Sequence, residues 1–87
     1  MPHYLTLHNE PTVSREAVEA NWIRLSHEQR AIWVKTWFNL PEGRRFCWWD
    51  APDETTLARV FDDYAITWDE MIEVELTTPS DWRWRED

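Results

Sequence analysis

The chain has 87 residues, a formal net charge of −8, eight Trp, one Gly and one Cys. That length makes one domain with a single core, and the acidic balance opposes both nucleic acid and anionic membrane as partners, since each repels it at long range. A lone cysteine, Cys47, excludes an internal disulfide and any cysteine-cluster metal site.

Met1-Pro2 leads straight into a strand pattern, without a basic start or a cleavage site, and no apolar run approaches membrane-spanning length. A cytoplasmic protein is therefore expected. His3 to Asn9 alternates as strands do, with Leu5 and Leu7 on one side and Tyr4, Thr6 and His8 on the other. The leucine side is expected to meet the helices. Asn9-Glu10-Pro11-Thr12 breaks the alternation, and Ser14 is placed to cap a helix running to about Glu28. Val18, Trp22 and Leu25, supported by Ala17, form its narrow apolar stripe, and Arg15, Glu19, Arg24 and Glu28 form its charged side.

Ala31 to Asp50 is the strongest structural signal in the chain. Two arms rich in β-branched and aromatic residues flank Leu40-Pro41-Glu42-Gly43, which puts Pro at the second turn position and the single Gly where the backbone goes left-handed. Read as a three-residue loop, this sets Leu40 against Arg44 and pairs Phe38 with Phe46, Trp37 with Cys47 and Thr36 with Trp48. One face then carries Ile32, Val34, Thr36, Phe38, Phe46 and Trp48, and the other Trp33, Lys35, Trp37, Arg45, Cys47 and Trp49. Cys47, on an aromatic strand, reads as an inert packed residue.

Asp50-Ala51-Pro52-Asp53 ends the hairpin, and Asp53 is placed to cap a second helix whose Leu57, Val60, Phe61 and Tyr64 recur at i, i+3, i+4 and i+7. Ala65 to Trp68 connects to a last strand, about Glu70 to Thr77, with Ile72, Val74 and Leu76 alternating against Met71, Glu73 and Glu75. Residues 79–87 form a polar tail apart from Trp82 and Trp84, which suit an added edge strand.

The order β-α-β-β-α-β defines an α+β, ferredoxin-like domain over residues 1–78, with two helices on one face of a four-stranded antiparallel sheet. The open face would collect Tyr4, Thr6, His8, Trp33, Lys35, Trp37, Arg45, Cys47, Trp49, Met71, Glu73 and Glu75. Such an aromatic face calls for a cover. A second copy packed face to face, a dimeric α+β barrel, is the simplest one.

The residues Met1-Pro2, His8-Asn9 with Pro11, Thr36-Trp37-Phe38, Glu42-Gly43, Phe46-Cys47, Asp50-Ala51-Pro52-Asp53 and Ile72-Glu73-Val74-Glu75 resemble a family of small nickel-binding or nickel-responsive proteins. The resemblance spans about residues 1 to 75 and implies a ferredoxin-like fold, a homodimer and nickel as cofactor. It also implies a His in the first helix, where this chain has Asn21 and Trp22, and two in the second, where it has Phe61 and Ala65. A site left with His8, an amide and carboxylates should hold a borderline metal more weakly.

Two candidate sites follow. His8 with Glu73 is the candidate for a divalent metal, Glu75 lying nearby on the same face; the plainer role for this trio is ordinary hydrogen bonding. Tyr4, Trp33, Lys35, Trp37, Trp49 and Glu75 are the candidates for lining a small-ligand chamber, although aromatic rows also build plain dimer interfaces. Lys35 would either salt-bridge Glu73 or Glu75 or clamp an anion among the indoles. The expected function is small-ligand binding. The alternatives are a cofactor-free oxygenase, isomerase or decarboxylase using His8 or Glu73 as proton acceptor, and an interaction module without a pocket.

Overall fold

The structure is a computed structural model that describes residues 1–81. It contains β1 (His3–Asn9), α1 (Arg15–Leu25), β2 (Ile32–Asn39), β3 (Arg44–Asp50), α2 (Glu54–Asp63) and β4 (Glu70–Val74), followed by a short 3-10 turn at Pro79–Asp81. The strands form one antiparallel sheet in the order β2-β3-β1-β4, the ferredoxin-like arrangement expected from the element order. Trp82 and Trp84, with the suggestion that they add an edge strand, lie outside the described residues.

Both helices start where the sequence places them. The Ser14 hydroxyl accepts the Ala17 N–H at 3.1 Å and the Asp53 carboxylate accepts the Thr56 N–H at 2.7 Å, each satisfying a donor that the helix itself leaves open. Helix α1 stops at Leu25, a turn earlier than the charge pattern suggests. Glu28 then folds back against Arg30, which also reaches Asp63 at the end of α2. Strand β4 ends at Val74, so Glu75 stands past the sheet.

The hairpin register differs by one residue from the expected one. Asn39, not Leu40, faces Arg44; all four of Leu40-Pro41-Glu42-Gly43 belong to the loop, closed by the Gly43 N–H on the Leu40 carbonyl at 3.0 Å. Asn39 braces that loop through its amide, accepting from the Glu42 N–H and donating to the Glu42 carboxylate. Thr36 therefore pairs with Cys47, Trp37 with Phe46 and Phe38 with Arg45, until a bulge between Trp33 and Lys35 absorbs one more residue and sets Trp33 opposite Trp49.

The sheet is also turned over relative to the expectation. Tyr4, Thr6 and His8 of β1 are buried with Arg45, Cys47 and Trp49 of β3 on the side of the helices, where Leu57, Val60 and Phe61 of α2 and Leu25 of α1 meet them. Leu5, Leu7, Phe46, Trp48, Trp37 and Ile72 occupy the other side. Both rows are apolar, so period-two alternation cannot choose between them. What distinguishes them is hydrogen bonding: loops on the helix side supply partners for the polar members of the buried row, and the large Trp49 ring finds a surface to fill. It stacks on Trp33 at 5.4 Å between centroids and meets Phe61 edge-on at 5.1 Å.

Candidate functional site

The polar residues of the buried row form one connected group beneath the helices. His8 is 1% exposed, and its Nδ1 lies 2.7 Å from the Thr67 carbonyl. A carbonyl only accepts, so Nδ1 carries the proton; Nε2 is then the acceptor, taking the Thr6 hydroxyl at 2.9 Å. Burial above all pushes the His8 pKa down from 6.5, the Thr67 carbonyl opposes this, and the Arg45 charge adds to it. The ring is a neutral, fully bonded core histidine. Cys47 next to it has its thiol pushed up by burial, consistent with an inert packing role.

Arg45, the cross-strand neighbour of both His8 and Phe38, is 4% exposed. Its Nη2 contacts the Glu10 carboxylate at 2.8 Å, while Nε and Nη1 have no partner among the described residues. The Trp49 indole N–H is likewise buried without an acceptor. The Trp33 indole N–H, by contrast, donates to the Thr36 hydroxyl at 2.5 Å, and that hydroxyl donates to the Cys47 sulfur at 3.4 Å.

Helix α1 seats only loosely on this floor. Val18 and Leu25 are buried, but Trp22 between them is 54% exposed, leaving a groove of about 220 Å³ between the helix and β2. Val18, Glu19 and Trp22 line it on the helix side, and Trp33, Val34, Lys35, Thr36 and Phe38 along β2. A second hollow of about 200 Å³ adjoins it around Trp22 and Trp33.

The residues expected to share one chamber separate into three places. Tyr4, Trp33 and Trp49 lie under the helices, Lys35 and Trp37 belong to the opposite side of the sheet, and Glu75 is exposed beyond β4. The Lys35 ammonium sits 5.9 Å from the centroid of the Trp48 ring rather than near Glu73 or Glu75. Glu73 pairs with Tyr4, four positions along β1 from His8, which is about 13 Å at the usual rise per residue. Burial first, then the charges of Glu73, Asp53 and Glu54, hold the Tyr4 phenol above its ordinary pKa.

Arg45 and Trp22 enter the site without having been singled out from the sequence. The signal for Arg45 was available, since the correct hairpin register sets it across from Phe38 and beside His8; Trp22 reads as core because its spacing with Val18 and Leu25 is that of a buried stripe.

A ferredoxin-like sheet of this strand order defines a broad class of small α+β proteins, and within it the chain belongs to the SCO4226-like nickel responsive protein family, whose sequence profile matches residues 4–74. The fold is similar to the crystal structure of SCO4226 from Streptomyces coelicolor A3(2), with a TM-score of 0.71 at 16% identity, over 87% of this chain and 99% of that one. No curated protein sequence matches the chain.

The residues present do not fit a nickel ion at the expected place. Both His8 nitrogens are engaged, Arg45 sets a positive charge beside the ring, and Glu73 is far along the sheet. Among the described residues no three His, Cys, Asp or Glu side chains converge on a common point.

Proposed function

We propose that this protein acts as a homodimer that binds a small organic ligand. The observation that carries the dimer is the sheet side remote from the helices. Ile32, Trp37 and Ile72, each more than half exposed, join Phe46, Leu5, Leu7, Trp48 and Val74 in one apolar surface that crosses all four strands. A contiguous apolar patch of this kind marks an interaction surface. A second copy related by a two-fold axis presents the same rows in return, so each sheet roofs the other. The dimer expected from the sequence is thus retained with the opposite face as its interface, and with Lys35 and Trp37 inside it.

Sedimentation equilibrium tests this reading. The wild type is expected at twice the monomer mass, and the pair Trp37→Glu and Ile72→Glu at the monomer mass with its helical circular dichroism retained. A wild-type protein that stays monomeric at high micromolar concentration would refute it.

The nickel response in the family's description comes to this chain without the side chains to hold the ion at His8 and Glu73. Nickel at micromolar concentration is therefore expected to leave the near-ultraviolet circular dichroism unchanged. Saturable nickel binding that disappears in His8→Ala would overturn that expectation.

A further inference from the structure

We propose that two copies pairing through the apolar sheet face take up protons as they do so, with the His3–Asp50 pair as the group that senses pH. This rests on the homodimer reading above and adds a control to the same surface. His3 and Asp50 are cross-strand partners, and their row crosses the sheet from Ile32 on β2 to Val74 on β4. Ile32 and Val74 both belong to the apolar surface, so the two polar side chains stand within it, on the side remote from the helices. The His3 Nδ1 lies 2.5 Å from an Asp50 carboxylate oxygen, and the Trp48 indole N–H donates to that same oxygen at 3.0 Å. The His3 ring meets Trp48 edge-on at 5.4 Å between centroids. At 36% and 24% exposure the His3 and Asp50 side chains are partly hydrated in a single copy, and a second sheet laid over the face takes that water away.

The imidazole N–H donates to the carboxylate whether the ring is neutral or protonated, so the hydrogen bond survives titration and only the charge changes. With the ring protonated, the group covered by the partner is a hydrogen-bonded ion pair. With the ring neutral it is a lone carboxylate, once in each copy. An uncompensated charge costs far more to take out of water than a paired one. Pairing is therefore favoured as pH falls through the imidazole range, centred at about 6.5 for a free ring. The other charged groups on this face are Lys35, Arg44 and Glu70. The Lys35 ammonium lies over the Trp48 ring, 5.9 Å from its centroid. Arg44 and Glu70 stand at the opposite ends of β3 and β4 from Asp50 and Val74, with Arg44 about 20 Å from Asp50 at the usual rise per residue. On β4 the partner of His3 is the uncharged Val74, and Glu73 pairs with Tyr4 on the other side of the sheet.

Sedimentation equilibrium of the full chain at pH 8 and pH 6, at one ionic strength, tests the proposal, because ordinary carboxylates stay ionised across that interval. The dissociation constant of the wild-type dimer is expected to be about 10-fold or more lower at pH 6. His3→Gln keeps a donor but cannot take up the proton, and is expected to hold the high-pH affinity of the wild type at both pH values. Asp50→Asn is expected to reverse the sign, pairing less tightly at pH 6, because the protonated ring is then the lone charge. His8, His27 and the Met1 amino group are common to all three proteins, so the differences between them belong to the pair. A wild-type dimer whose affinity is equal or weaker at pH 6, or a pH dependence that persists unchanged in His3→Gln or in Asp50→Asn, would overturn this proposal and leave the homodimer standing. A wild type that is monomeric at both pH values would sink the homodimer and this proposal together.

Discussion

Gly43 is the position where a single methyl group should do most damage for its size. It has φ +67, and a Cβ built there would lie 2.4 Å from the Pro11 Cα, 2.8 Å from the Pro11 nitrogen and 3.1 Å from the Glu10 carbonyl carbon. All three are backbone atoms that cannot swing aside as a side chain would. The Glu10 N–H also donates to the Gly43 carbonyl at 2.7 Å, so the hairpin loop and the β1–α1 loop are tied at their closest approach. Placing an L-residue in the left-handed region costs roughly 1–2 kcal/mol, and forcing packed atoms apart about 1–3 kcal/mol more. Gly43→Ala should therefore lose about 2–5 kcal/mol, a large part of what a domain of this size holds. Urea denaturation followed by far-ultraviolet circular dichroism measures this, with variants compared at one protein concentration because the proposed dimer would add to apparent stability. Gly43→Asn separates the two causes, since Asn tolerates left-handed backbone but keeps its Cβ; about 1–3 kcal/mol of the loss should remain. An alanine variant within about 0.5 kcal/mol of wild type would show that the two loops are not locked together, and the reasoning fails.

Ala65 presents the opposite case: it closes α2 at φ +57, with the Ile66 N–H on the Phe61 carbonyl at 2.8 Å, a left-handed cap that normally takes glycine. Ala65→Gly should stabilise the protein by about 0.5–1 kcal/mol in the same denaturation assay, and a loss of stability would contradict the cap. Asp53→Ala removes the acceptor of the Thr56 N–H and should cost about 1 kcal/mol, whereas Asp53→Asn should cost much less. His8 gives a pH dependence with a definite sign. Its folded pKa lies below the unfolded 6.5, so the unfolded chain takes up the proton first; stability is full above 6.5 and falls as pH drops from there towards the folded value. Melting temperatures recorded from pH 7.5 down to pH 5 should flatten across that range in His8→Gln, and an unchanged slope would assign the pH dependence to other groups.

The parts of this protein legible in the sequence were those whose physics is local. Ser14 and Asp53 announced their helices because a capping side chain bonds a donor three residues away, and the alternation and turn residues announced four strands in ferredoxin-like order. The site was legible only in its residue types. His8, Trp33, Trp37 and Trp49 were visible as candidates, but whether they share a surface depends on a hairpin register that one loop residue changes, and on a bulge at Val34 that no turn signal marks.

Which side of the sheet faces inward belonged to the tertiary structure alone. Leu5, Leu7, Phe46 and Ile72 are as apolar as Tyr4, Cys47, Trp49 and Met71, so hydrophobicity ranks the two rows nearly equal. The second row lies inward, where the Thr67 carbonyl and the Glu10 carboxylate partner His8 and Arg45 and where Phe61 has a ring to meet. Those partners are distant in sequence and come together only when the chain closes, so no window of residues contained the answer.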